Sequence, residues 1–324
     1  MKVLVTGSSG ITGGHLVTRL QQGGFSVRVL LDLERESPLT RDLPLERFQG
    51  DSLDMEAVSS AVAGVQAVFN CDMRCACRLP IRKAVRSYNL DATRNVVVAM
   101  ARHGVEDLVH VGTAFSFGWG TLDEPGDEDT PYRGAPFGLA DLDAARQAQE
   151  LALRYSDSGR LRCVVINPTL VLGPGLSRSG PAFALLESAA RGRPLSPPGG
   201  VNVVGASDVA DAALKALGRG RQGRCYIAGG DNLSFRQLLE KLCSAFGSDP
   251  PAETVAGRAF LTSGLLGRAR AKISGKSAGS TPELARIAAE PLYYSSTRSA
   301  RELSYSPRSS DIAIEEACDW FKAL

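Results

Sequence analysis

Long apolar runs are missing from this 324-residue chain. No stretch approaches the roughly 18 consecutive apolar residues that a membrane-spanning helix needs. Met1-Lys2 leads directly into the short run Val3-Leu4-Val5 and then into glycines, which excludes the apolar segment of a secretion signal and implies a cytoplasmic protein. A strong charge imbalance is also absent: the net charge of +2 gives no bulk attraction to nucleic acid or an anionic membrane. Histidine is scarce. His15, His103 and His110 fall in the first helix, near a helix end and inside a strand, and structural roles are expected for all three. The seven cysteines, an odd number without a secretion signal, read as reduced thiols.

What is present is ample material for a core, 44% apolar, with no sign of disorder. Short β-branched runs at Lys2–Thr6, Val27–Leu31, Glu46–Gln49, Ala67–Asn70, Asp107–Val111 and Arg162–Ile166 alternate with helical patterns near Gly13–Gln22, Asp54–Val62, Arg82–Arg102 and Asp141–Tyr155. Such alternation predicts a doubly wound α/β protein with a parallel Rossmann sheet, since right-handed crossovers place helices on both faces. Beyond Pro168 the pattern breaks into turns, a strand at Arg224–Ile227 and helices at Ser234–Phe246 and Ile312–Lys322. The expected division is a dinucleotide-binding domain over 1–170, its sheet completed by 203–228, with 171–202 and 229–324 forming a small C-terminal substrate-binding lobe.

The sharpest local signal is Thr6-Gly7-Ser8-Ser9-Gly10-Ile11-Thr12-Gly13, placed after a strand and opening a helix. Gly7 permits a tight turn, Gly10 lets the backbone approach a pyrophosphate, and Gly13 allows close helix–strand packing. The helix N-terminus adds amide donors and a positive dipole end, so Ser9, Ile11 and Thr12 join the three glycines as candidate cofactor contacts. Cys71 and Asp72 follow the fourth strand, at the edge where a nicotinamide should lie.

The spacing TGxxGxxG resembles the extended short-chain dehydrogenase/reductase family, of the epimerase/dehydratase type. Further segments match that family in order over nearly the whole chain: Gly50-Asp51, Asn89-Leu90-Asp91-Ala92-Thr93-Arg94-Asn95, Asn167-Pro168-Thr169 with Gly173-Pro174-Gly175, Ser207-Asp208-Val209-Ala210, and Pro291-Leu292-Tyr293-Tyr294 with the last 25 residues. The resemblance implies an NAD(P)H cofactor held also by Asp51, Ser52, Asn89, Pro168 and Thr169, and a tendency to homodimerise. Asp32 stands where NAD-type members carry an acid for the ribose hydroxyl, which favours NAD over NADP, although Leu31 fills the more usual acid position and Arg35 lies close by.

The family's catalytic set is Ser/Thr, Tyr and Lys, and here it is degenerate. Thr113 fills the hydroxyl position, but no tyrosine among the seven has a lysine four residues on. Alignment on Gln149-Glu150 puts Leu142 at the tyrosine and Arg146 at the lysine. Leucine moves no proton, whereas arginine could still bond a ribose hydroxyl but cannot act as an acid near neutral pH. Three readings follow. Another group, among Tyr132, Asp141, Asp143, Cys71 and Asp72, supplies the proton; or water supplies it and the protein only positions hydride transfer; or catalysis is lost and the fold serves as an NAD(P)-binding sensor or scaffold. The spacing of Cys71, Cys75 and Cys77 invites a metal, but no histidine lies nearby and no fourth ligand is evident, so free thiols and no metal are expected.

The resemblance is stronger to the family branch that acts on lipophilic carbonyls than to the sugar-nucleotide epimerases, whose motif is replaced by Val201-Asn202-Val203-Val204-Gly205. The function it implies is a ketone reductase or alcohol dehydrogenase for a lipophilic small molecule, of biosynthetic type. An epimerase or dehydratase fits less well, because those reactions lean harder on a placed base. Phe115, Phe117, Trp119, Leu170, Phe183 and Tyr293 could line the pocket. The basic stretch Gly257–Lys276 reads as a solvated lid, with peripheral membrane contact as the alternative.

Overall fold

The first strand, β1 (Lys2–Thr6), is apolar on both sides, and its alternation decides which helix covers which residue. Val3 and Val5 face one layer; Leu4 faces the other. The same holds along β2 (Ser26–Leu31), β4 (Ala67–Asn70), β5 (Asp107–Val111) and β6 (Arg162–Pro168), so this is a parallel sheet buried on both faces. The computed structural model describes residues 1–31, 36–74, 82–159, 161–178, 180–251 and 282–324. With β3 (Glu46–Gln49) and β9 (Cys225–Ala228) the large sheet has seven strands among the described residues, in the order β3-β2-β1-β4-β5-β6-β9.

Helices α1 (Ile11–Gln22) and α6 (Ala206–Arg219) cover one face through Leu16, Val17, Leu20, Val209, Ala213 and Ala216. Helices α2 (Met55–Val62), α3 (Arg82–His103) and α4 (Ala140–Asp157) cover the other, with Val58, Val62, Val96, Val97, Met100 and Ala152. Each fully buried Val or Leu contributes about 1.5–3 kcal/mol, which is why the apolar run of each strand, rather than any single contact, sets the layer order. Strand order reverses between β1 and β4, and the crevice beyond their C-terminal ends is where such sheets bind ligands.

A second, four-stranded sheet lies against this frame. Its centre is β8 (Gly200–Gly205), flanked by antiparallel β10 (Asp231–Ser234) on one side. On the other side β7 (Leu170–Leu172) and the short β11 (Pro291–Leu292) pair with it in parallel. Residues 203–205, expected in the large sheet, therefore pair here, and the large sheet gains only Cys225–Ala228 from the stretch 203–228. The apolar run of β8 is equally compatible with either sheet, and the pairing partners decide. Three helices pack on it: α5 (Pro181–Ala190), α7 (Phe235–Phe246) and a C-terminal helix, Ser310–Lys322. α7 starts where it does because Ser234 and Gln237 form a reciprocal capping box, and it stops at Gly247, whose φ of 69° favours glycine.

Candidate dinucleotide site and active-site cleft

The turn between β1 and α1 is built around its glycines. Gly7 has φ of 69°, and a Cβ there would sit 2.6 Å from the Asp72 backbone, so only glycine lets this turn approach the loop after β4. A Cβ on Gly13 would lie 2.3 Å from the Gly7 carbonyl oxygen. At Gly10, by contrast, a Cβ would touch only that same oxygen, at 3.4 Å, and the residue is exposed. α1 begins at Gly10 with no side-chain cap and no acid in its first turn. Its first amides and dipole end are thereby left for an external anion, flanked by half-buried Ser9, Ile11 and Thr12. The uncapped helix end and the glycine cradle fit a diphosphate.

The adenine-side candidates gather behind this loop. Ser52 donates to the Asp72 carboxylate at 2.6 Å, and Tyr88 donates to the same oxygen at 2.6 Å. The Arg74 guanidinium lies 3.4 Å from the Tyr88 ring centroid and donates to Asp51 at 3.2 Å. Asn89 clasps the loop after β4, accepting from the Arg74 amide and donating to the Arg74 carbonyl, at 2.9 and 3.0 Å. These bonds bring Asp51, Ser52 and Asn89 together around the loop after β4, which begins at Cys71. Arg74 and Tyr88 were not foreseen, and no spacing rule would have linked them, because loop and helix meet only in the fold. Burial pushes the Cys71 thiol up, so it stays protonated. Asp32 and Arg35, Cys75 and Cys77, and the basic stretch Gly257–Lys276 lie outside the described residues.

At the far end of the cleft, Thr113 follows β5, is buried, and accepts from the Phe115 amide at 3.3 Å through its hydroxyl oxygen, leaving its O–H free to donate. Asn167 holds the Thr113 carbonyl from β6 at 2.9 Å. Pro168 ends β6 opposite Ala228, and the Thr169 hydroxyl donates to Asn202 at 2.7 Å. Leu142, in the first turn of α4, packs half-buried against the apolar cluster of Ala114, Trp119, Leu139, Ile227 and Tyr294. One turn on, Arg146 pairs with Glu150 at 2.9 Å and lies 4.7 Å above the Tyr132 ring. The Tyr132 hydroxyl donates to Asp143. Burial and that bond hold the phenol above its ordinary pKa, opposite to the shift the family's lysine produces. The side chain of Asp141 lies outside the described residues. Of the six pocket candidates, Phe115, Phe117 and Trp119 belong to this cluster. Leu170 and Phe183 pack instead in the second lobe's core, and Tyr293 lies over Gly200.

The order reversal at β1 and β4, the uncapped α1 and the glycine cradle define a dinucleotide-binding Rossmann protein. The model of the NAD dependent epimerase/dehydratase family matches residues 3–229, and the chain belongs to that family of NAD-dependent enzymes. It is similar over its full length to curated proteins of modest identity. One is the 2-alkyl-3-oxoalkanoate reductase of Stenotrophomonas maltophilia, 28% identical over 100% of this chain and 99% of the relative. Another is the sterol demethylase protein B of Methylococcus capsulatus, 25% identical over 99% and 98%. In fold it is similar to the UDP-glucose 4-epimerase of Thermus thermophilus in complex with NAD, with a TM-score of 0.78, 21% identity and complete coverage of both chains.

Proposed function

We propose that the chain is an NAD(P)H-dependent oxidoreductase that interconverts a ketone or activated carbonyl and its alcohol on a lipophilic small molecule. The supporting observation is a juxtaposition: the uncapped end of α1 and the Thr113 hydroxyl share the C-terminal side of one sheet, beside a partly exposed apolar wall of Phe115, Phe117, Phe137 and Leu142. The names of the reductase and sterol relatives agree with such a substrate. NAD is preferred to NADP because Asp32 stands in sequence where NAD-type members of the family carry an acid.

In this reading the first amides of α1 hold the pyrophosphate, with Ser9, Thr12 and the three glycines shaping the cradle. Asp51, Ser52 and Asn89 border the adenine and ribose side; Cys71, Pro168 and Thr169 border the nicotinamide. The bound nicotinamide supplies or accepts hydride. Thr113 orients the substrate oxygen. Tyr132 carries the proton: in oxidation the alcohol proton passes to the Tyr132 oxygen while Tyr132's own proton passes to Asp143, and reduction runs the same relay backwards with a proton that Asp143 takes from water. Arg146 stabilises this array and borders the ribose. Leu142 contributes shape alone.

One observation favours a second reading, an NAD(P)-binding sensor without turnover: the Tyr132 phenol is tied to Asp143 and pushed up rather than activated. The test is calorimetric titration with NADH and NADPH, followed by loss of NADH absorbance with a 2-alkyl-3-oxoalkanoate and a 3-oxosteroid. Binding with turnover supports the oxidoreductase, and binding without turnover the sensor. A folded protein that binds neither cofactor overturns both. Introducing the family pair, Leu142→Tyr with Arg146→Lys, should raise ketone reduction if α4 is aligned as above.

A further inference from the structure

Tyr294 is held by three hydrogen bonds to its backbone, while among the described residues its hydroxyl has no partner. Its amide donates to Asn232 Oδ1 at 3.1 Å, and its carbonyl accepts from Asn232 Nδ2 at 3.1 Å and from Asn202 Nδ2 at 3.4 Å. Asn202 is completely buried and also receives the Thr169 hydroxyl, so the clamp is continuous with the segment that borders the cofactor cleft. The side chain runs into the apolar cluster with Ala114, Leu139 and Leu142, and Phe115 meets its ring edge-on with centroids 6.4 Å apart. Only 3% of the residue is exposed, and its hydroxyl has no hydrogen-bond partner among the described residues. A phenylalanine would fill that volume as well without an unpaired polar atom.

We propose that the Tyr294 hydroxyl is the hydrogen-bond donor to the oxygen of the reacting carbonyl, standing in for the tyrosine that Leu142 replaces. The proposal rests on the oxidoreductase reading above and adds a catalytic residue to it. A bound nicotinamide would supply hydride to the carbonyl carbon; the C=O electron pair would then move to oxygen, where Tyr294 and Thr113 donate to the developing alkoxide. The Tyr132 relay then delivers the proton. Donors fixed in place before reaction, inside an apolar enclosure, stabilise such a charge more than mobile water does. Burial, reinforced by the nearby Tyr132 phenol, keeps the Tyr294 hydroxyl protonated and therefore always a donor. The hydroxyl is closed to solvent, and the half-buried side chains packed against its cluster are Phe115, Phe117, Phe137, Leu142 and Leu284. An apolar substrate parts this wall, so the site selects a lipophilic ketone whose only polar atom meets the unpaired hydroxyl.

The test compares wild type with Tyr294→Phe, using the bicyclic ketone decalone as probe. The expected result has four parts. NADH affinity stays within about twofold and thermal stability is equal or higher, because a buried unpaired hydroxyl is removed. The kcat/KM for decalone falls by about 30-fold or more. The infrared carbonyl stretch of bound decalone, lowered in wild type by hydrogen bonding, moves back up in the variant. Wild-type kinetics in Tyr294→Phe, an unshifted carbonyl band, or failure of decalone to bind the NADH-loaded protein overturns the proposal. Failure of NADH to bind either protein overturns the oxidoreductase reading instead, so the two failures are distinct.

Discussion

Alanine placed at two glycines of one loop should separate folding from cofactor binding. Gly10 is the N-cap of α1 with φ of −81° and ψ of 161°, a conformation alanine adopts without strain, and its added methyl would meet one atom at 3.4 Å. Replacing an N-cap glycine by alanine costs about 0.5 kcal/mol, a shift of one or two degrees in a chain of this size. The methyl would nonetheless occupy the exposed side where a pyrophosphate must approach. Loss of one charge-assisted hydrogen bond from the helix amides costs about 1.5–3 kcal/mol, which is about 10- to 100-fold in Kd. Gly13 is the opposite case. Its methyl would lie 2.3 Å from the Gly7 oxygen and 2.9 Å from Ser8 Cα, so the backbone must move by about an ångström. Overpacking of that kind costs about 1–3 kcal/mol, against at most about 1 kcal/mol gained in helix propensity. Thermal melts and NADH titrations of both variants form the assay. Gly10→Ala should melt like wild type and bind weakly, while Gly13→Ala should melt lower. The reasoning fails if Gly10→Ala binds NADH at wild-type affinity, or if Gly13→Ala melts unchanged.

Two further outcomes are expected. His110 is buried in β5, where its Nδ1 accepts from Asn70 at 3.2 Å, and burial pushes its pKa down to about 4. The folded state holds the neutral ring, so between about pH 6.5 and 4 the unfolded chain binds a proton the folded chain lacks, and stability drops by up to about 3 kcal/mol as the pH is lowered through that window. Urea unfolding at several pH values should reveal this slope and show it flattened in His110→Gln; an equally steep profile in that variant refutes the assignment. Asp208, almost fully buried in the first turn of α6, accepts from both the amide and the Nε of Arg308 at 3.2 Å. Asp208→Ala strands these donors and should cost about 2 kcal/mol, read as a lower urea midpoint, whereas an unchanged midpoint would mean that water replaces the carboxylate.

The sequence by itself determined the parallel frame of the large sheet, the glycine-rich loop between β1 and α1 and the family. Each of these depends on local chemistry: two-sided apolar strands such as Val3-Leu4-Val5, glycines at positions a side chain cannot occupy, and a helix opening without a cap. That no tyrosine has a lysine four residues on was equally legible, because it is a matter of residue type and spacing. Tertiary structure decided the rest. The apolar run of β8 could have extended the large sheet, and only its pairing with β7, β10 and β11 assigned it to the second one. Arg74, Tyr88 and Asp72 came together from a loop and a helix that share no periodicity. Tyr294 stands 181 residues from Thr113 in the chain, yet it belongs to the cluster that includes Ala114 and Leu142. Spacing rules act within one helix or strand, whereas a site assembled across a sheet edge depends on how separate elements pack.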